Sequence, residues 1–161
     1  MSQQCRIAHG LCLAVCLLVP AALRAEDVPA ESIAKLRQVT DAAMDSICQD
    51  DVPAMIDAIA ELAGWNEEQR LKNLQKVAES RGLLRSTLGP AQDRIEFLKV
   101  QTLGGSFVRL TYLEHRTASA VAWRFTCYRS KNEWRLVGMT WDGNLEPLFQ
   151  ERTSAEPGPT P

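Results

Sequence analysis

Between Ile95 and Trp141 apolar and polar residues alternate in successive short runs. Val108, Leu110 and Tyr112 alternate with Arg109 and Thr111. Val121, Trp123, Phe125 and Cys127 alternate with Ala122, Arg124 and Thr126, and Trp134, Leu136 and Gly138 with Arg135 and Val137. A period of two in β-branched and aromatic residues predicts strands, with Ile95–Thr102 as the first of four. The breaks at Gly104-Gly105, His115–Ala118 and Ser130–Asn132 are too short for a crossover helix, so the strands form an antiparallel meander.

The first half follows a different period. Ile33, Leu36, Thr40, Ala43, Met44 and Ile47 recur at spacings of three and four, with Lys35, Arg37, Asp41 and Asp45 off that stripe. This predicts an amphipathic helix over Pro29–Gln49. Asp51 is placed to cap a second helix that carries Met55, Ile56, Ile59 and Leu62 and stops at Gly64. Asn66 with Gln69 forms a capping-box pattern for a third, through Leu71, Leu74 and Val77 to Gly82. Residues 82–92, ending in Gly89-Pro90, read as a connector. After Trp141, Asp142-Gly143-Asn144 makes a turn, and Leu145, Leu148 and Phe149 fold back on the domain. Helices followed by consecutive strands predict an α+β domain: three N-terminal helices on a curved meander of about four strands. Leu36, Ile47, Trp123, Phe125 and Leu136 hold the apolar phase and are the expected core.

The termini change this picture. Arg6 precedes an uninterrupted apolar run from Leu11 to Val19, and Leu23-Arg24-Ala25 stands before Glu26-Asp27. This is the pattern of a secretory signal peptide over residues 1–25, and Leu11–Leu23 is shorter than the roughly 18 residues of a membrane span. The expectation is an exported, periplasmic or secreted domain over 26–149 with no integral membrane segment after cleavage. Residues 150–161 hold three prolines and one glycine beyond Gln150 and no large apolar group, so a disordered tail is expected.

Of 161 residues, 45% are hydrophobic and 24% charged, as in ordinary globular chains. Cleavage takes two cations and no acid from a net charge of −2, leaving −4, which argues against nucleic acid as partner. Export places Cys48 and Cys127, the two cysteines beyond the signal, where a disulfide can persist. They are expected either as a bridge or as two separate buried thiols.

The order of elements, with Trp123-Arg124-Phe125-Thr126-Cys127-Tyr128-Arg129, then Glu133-Trp134-Arg135-Leu136-Val137-Gly138-Met139 and Trp141-Asp142-Gly143-Asn144-Leu145, resembles the nuclear transport factor 2-like superfamily in its small exported bacterial members. The resemblance covers residues 30–149 and implies a cone-shaped α+β fold; a cystatin-like helix on a four-stranded sheet is the rival architecture. The superfamily includes ketosteroid isomerases, dehydratases and non-catalytic binding modules, so the likeness leaves function open.

Chemistry is sparse. His115, the one histidine beyond the signal, falls at an expected turn without the partners of a zinc site, and neither a metal nor a cofactor is expected. Enzymes of the resembling fold place a carboxylate and a tyrosine in the cone. The weak candidates are Asp41, Tyr112, Tyr128 and Trp123, with Asp45 as a second acid; Asp41 and Asp45 lie on what reads as a solvated helix face. No residue matches a specific catalytic motif. Arg109, Arg124, Arg129 and Arg135 are expected to pair across strands with Glu114 and Glu133. The reading is a non-catalytic domain that binds a small apolar ligand or a protein partner, with the free sheet face as a possible homodimer surface. The alternative is a small-molecule isomerase or dehydratase.

Overall fold

The structure, a computed structural model, describes residues 27–131 and 133–153. The expected signal peptide and the end of the expected tail, residues 154–161, lie outside the described residues. Three helices, α1 (Ala30–Cys48), α2 (Val52–Ala63) and α3 (Glu67–Leu88), precede four strands, β1 (Ala91–Leu103), β2 (Phe107–Arg116), β3 (Ala120–Ser130) and β4 (Glu133–Asp142), and a last helix, α4 (Glu146–Thr153), follows. The sheet is an antiparallel meander in the order β1-β2-β3-β4, not closed into a barrel.

The helix boundaries follow from local chemistry. Asp51 accepts from the Ala54 N–H at 3.0 Å, and Gly64 ends α2 with φ of +65°, a left-handed conformation suited to glycine. Asn66 and Gln69 exchange bonds of 2.9 and 3.0 Å in a complete capping box. Two boundaries differ from the sequence reading. Gly82 does not stop α3, because an interior glycine costs a helix only about 1 kcal/mol relative to alanine and Gly82 has a helical backbone. The chain instead turns at Gly89, whose φ is +79°. The expected connector is thus the end of α3 and the start of β1. At the other end, α4 includes Gln150–Thr153, which the composition had assigned to the tail.

The core lies between α1, α2 and the sheet's inner face. Leu36, Ile47, Trp123, Phe125 and Leu136 are all buried, beside Met44, Met55, Ile59, Val108, Leu110 and Tyr112. In α3 only Val77 and Arg81 are buried, while Leu71 and Leu83 face solvent. β4 departs from simple alternation. Thr126 pairs with Gly138 but Cys127 with Leu136, so Val137 is an inserted bulge residue. The bulge shifts the inward phase from Gly138 to Met139 and Trp141, both packed on the core.

The inner face follows in register: Tyr112 opposite Trp123 and Trp141, Leu110 opposite Phe125 and Met139, Val108 opposite Cys127 and Leu136. α1 crosses that face lengthwise, with Leu36 and Val39 near Trp134 at one end and Cys48 near Gln92 at the other. This separates the two cysteines, which are free thiols, so of the two expected arrangements the bridge is not the one formed. Cys48 Sγ lies 3.4 Å from the Gln92 carbonyl, beside the Ala91–Arg116 pair, whereas Cys127 is opposite Val108. Eight strand residues from Arg116 to Val108 span roughly 27 Å, beyond the reach of a disulfide.

Candidate functional site

Of the residues singled out in the sequence, Asp41 and Tyr112 meet and Tyr128 and Trp123 do not join them. Tyr112, the inward residue of β2 facing the middle of α1, donates its hydroxyl to Asp41 Oδ1 at 2.7 Å and lies 2.7 Å from Thr40 Oγ1. Asp41 is half-buried, and Arg37 Nε stands 3.3 Å from its other oxygen. Arg37 also covers the Phe97 ring at 4.1 Å, and Phe97 packs edge-on against Tyr112. Burial, foremost, pushes the Tyr112 hydroxyl well above the usual phenol range; the Thr40 hydroxyl opposes this and the Asp41 carboxylate adds to it. The phenol therefore stays protonated and serves as a donor. Asp45 lies exposed one turn on.

Tyr128 belongs to the outer face of the sheet, half-stacked on Phe107 with centroids 4.8 Å apart. Trp123 is fully buried; its ring lies 5.3 Å from Trp141, and its Nε1 donates to Glu114 Oε2 at 2.8 Å. Glu114 is the residue whose position the sequence reading missed. It shares the inward phase of Tyr112 and is wholly buried, so it does not pair with the outer-face arginines. Its Oε1 accepts from Arg81 Nη1 at 2.7 Å and Arg116 Nη2 at 2.8 Å. Arg81 continues to the Ile47 carbonyl and to Asp50, and Arg116 to the Gly89 carbonyl. Asp50, with φ of +59°, ends α1 in a left-handed turn under this guanidinium. The cluster ties α1, α3, β2 and β3 together with its charges paired.

His115 belongs to β2 and not to the turn, which runs from Thr117 to Ser119; its Nε2 is 3.4 Å from a Glu96 carboxylate oxygen. Among the described residues, no three of His, Cys, Asp and Glu converge as a metal site would require.

The open space lies elsewhere. A groove of about 490 Å³ runs between α1, α2 and the start of β4, lined by Val39, Ala58, Leu62 and Trp134 with Glu61, Glu133 and Arg135 at its rim. Beside it lies a lobe of about 330 Å³ along α1, where Leu36, Val39, Leu62 and Trp134 meet Ser32, Lys35 and Arg129. Val39, Leu62 and Trp134 line both, so the two adjoin as one trough along α1. Its walls contain neither Asp41 nor Tyr112. In the sequence Leu62 was visible only as an apolar helix position and Trp134 as a strand residue, and Val39 was not singled out.

Comparison with known proteins adds little. No family model matches the chain, and no curated protein matches it. Among solved structures, the solution NMR structure of a de novo beta sheet design protein is similar over 49% of this chain and 87% of its own, at 18% identity and a TM-score of 0.28. At that score the likeness carries no argument about fold or function. Among the described residues, no helix is long and apolar enough to cross a membrane.

Proposed function

We propose that this chain is an exported, non-catalytic binding domain of the nuclear transport factor 2-like kind, and that its ligand is a small apolar molecule held in the trough at Val39, Leu62 and Trp134. The observation that carries the reading is the trough itself: two adjoining lobes of about 490 and 330 Å³ that share an aromatic and aliphatic wall. Clefts of this size with apolar walls and a few polar groups at the rim are the usual form of small-molecule sites. Export rests on the leader pattern of residues 1–25, and the superfamily on the resemblance of residues 30–149.

The isomerase or dehydratase reading draws on the contact between Tyr112 and Asp41. It is the weaker one, because the phenol is buried and already bonded to Thr40 and Asp41, and the trough does not reach it. Titration with N-phenyl-1-naphthylamine, an uncharged apolar fluorophore, tests the proposal. Saturable binding that weakens at least tenfold in Leu62→Glu and in Trp134→Ala supports it. Absence of saturation, or binding unchanged in both variants, overturns it.

A further inference from the structure

We infer that the outer face of the sheet docks an acidic, extended peptide segment of a protein partner, centred on Arg109 and Arg124. Strand register builds the surface. Gln101, Arg109 and Thr126 stand side by side in one row, and Lys99, Thr111, Arg124 and Thr140 in the next. Arg109 on β2 and Arg124 on β3 are therefore diagonal neighbours, roughly 7 to 8 Å apart. Their cross-strand neighbours are threonines and a glutamine, because Glu114 points into the core.

Arg109 Nε reaches the Thr126 hydroxyl at 3.4 Å, and among the described residues neither Arg109 nor Arg124 is within ion-pair distance of a carboxylate. Thr111, in the same patch, is fully buried with its hydroxyl unpartnered. Two unpaired guanidiniums on an otherwise acidic chain mark a local site complementary to carboxylate.

The adjoining row selects a peptide over a simple anion. Leu103, Phe107 and Tyr128 are directly opposite one another, and Leu103 is 75% exposed. Leu103 and Phe107 join Gln101, Arg109 and Thr126 around a groove of about 400 Å³. Arg109 and Phe107 are two residues apart on one strand, about 7 Å, which is the spacing of residues i and i+2 in an extended peptide. A segment with an acid and an apolar side chain two positions apart engages both rows at once. A phosphate ion or a polyanion uses only the arginines.

The test uses a fluorescein-labelled peptide, Glu-Ser-Phe-Ser-Glu-Ser-Phe, in a polarisation titration against the purified chain, with circular dichroism melts to confirm that the variants fold. Saturable binding is expected that weakens at least tenfold in R109A/R124A, at least threefold in F107A, and further as salt is raised. No saturation up to millimolar protein, or binding unchanged in R109A/R124A, overturns the inference. So does displacement by heparin with F107A neutral, which marks a polyanion surface. Self-association abolished by R109A/R124A also overturns it, assigning the face to a second copy of the chain.

Discussion

Arg81 on α3 holds the carboxylate of Glu114 on β2 at 2.7 Å, with both side chains almost wholly removed from water. The charges are tolerable because every element around them contributes: Arg116 and Trp123 complete the acceptor positions of Glu114, while Asp50 and the Ile47 carbonyl occupy Arg81. Removing one member leaves the others buried and uncompensated. Glu114→Ala and Arg81→Ala are each expected to lower unfolding free energy by about 3 to 5 kcal/mol, read from the urea midpoint at unchanged slope. A loss below 1 kcal/mol would show that the cluster is solvated in solution. Glu114→Gln, which keeps the shape but not the charge, should lose less than Glu114→Ala.

A second expectation concerns pH. Folding holds the Tyr112 phenol above its usual range, so the unfolded chain releases this proton at a lower pH than the native one. Its contribution to stability is complete below a pH of about 10, the ordinary phenol value, and declines as pH rises beyond it. Ultraviolet titration should show Tyr112 ionising only as the protein unfolds. Tyr112→Phe should remove that lag and cost about 1 kcal/mol, the net worth of a typical hydrogen bond. Ionisation of Tyr112 at the ordinary phenol pH in the still-folded protein would contradict the burial.

How far the sequence foretold these sites depends on the period involved. The three helices, the four strands and the five expected core residues follow from local patterns of apolar side chains, which sheet pairing then preserves. Glu114 was legible in principle, since it keeps the parity of Val108, Leu110 and Tyr112, but a charged residue at an inward position reads as an outward one unless its partners are known. Of those partners, Trp123 comes from the next strand but Arg81 from α3, 33 residues away. The Val137 bulge was less accessible: without it, Gly138 continues the inward phase set by Trp134 and Leu136, and only the pairing with β3 shows where the phase slips. The trough at Val39 and Trp134 depends on how α1 and α2 lie against β4, a tertiary relation with no signature in either segment alone.

The core can be checked by truncation. Leu36 and Leu136 are 3% and 6% exposed on opposite sides of the helix–sheet contact. Leu36→Ala and Leu136→Ala should each lose about 2 to 5 kcal/mol, as large-to-small core changes do. Val137→Ala, at a bulge residue 57% exposed, should change stability by less than about 0.5 kcal/mol. Chemical denaturation of the three variants checks the burial but does not by itself separate the assigned β4 phase from a regular strand. In a regular strand Leu136 and Trp134 would still face inward, but Met139 would not, so Met139→Lys supplies the decisive fourth measurement: a severe loss is expected from the bulged register and near neutrality from the regular one.

The cysteines give a readout that does not depend on stability. Cys127 sits on the inner face of β3 with no exposed surface, and burial pushes its thiol up to about 12. Cys48 is partly accessible at the end of α1; its thiol is raised by burial first and by Asp93, Glu114 and Asp45, against a backbone hydrogen bond that lowers it. The thiolate is the reactive form, so both should be slow toward iodoacetamide near neutral pH, and Cys127 the slower because the reagent cannot reach it without opening the sheet. Native alkylation of a chain of residues 26–161, in which these are the two cysteines, followed by intact-mass analysis should show at most one modification, at Cys48. In denaturant without reductant both should react, since roughly 27 Å of sheet separates their ends of the fold. Recovery of a species that takes up no label until reductant is added would mean that the thiols are bridged, and with that the placement of α1 along the sheet would have to be reversed.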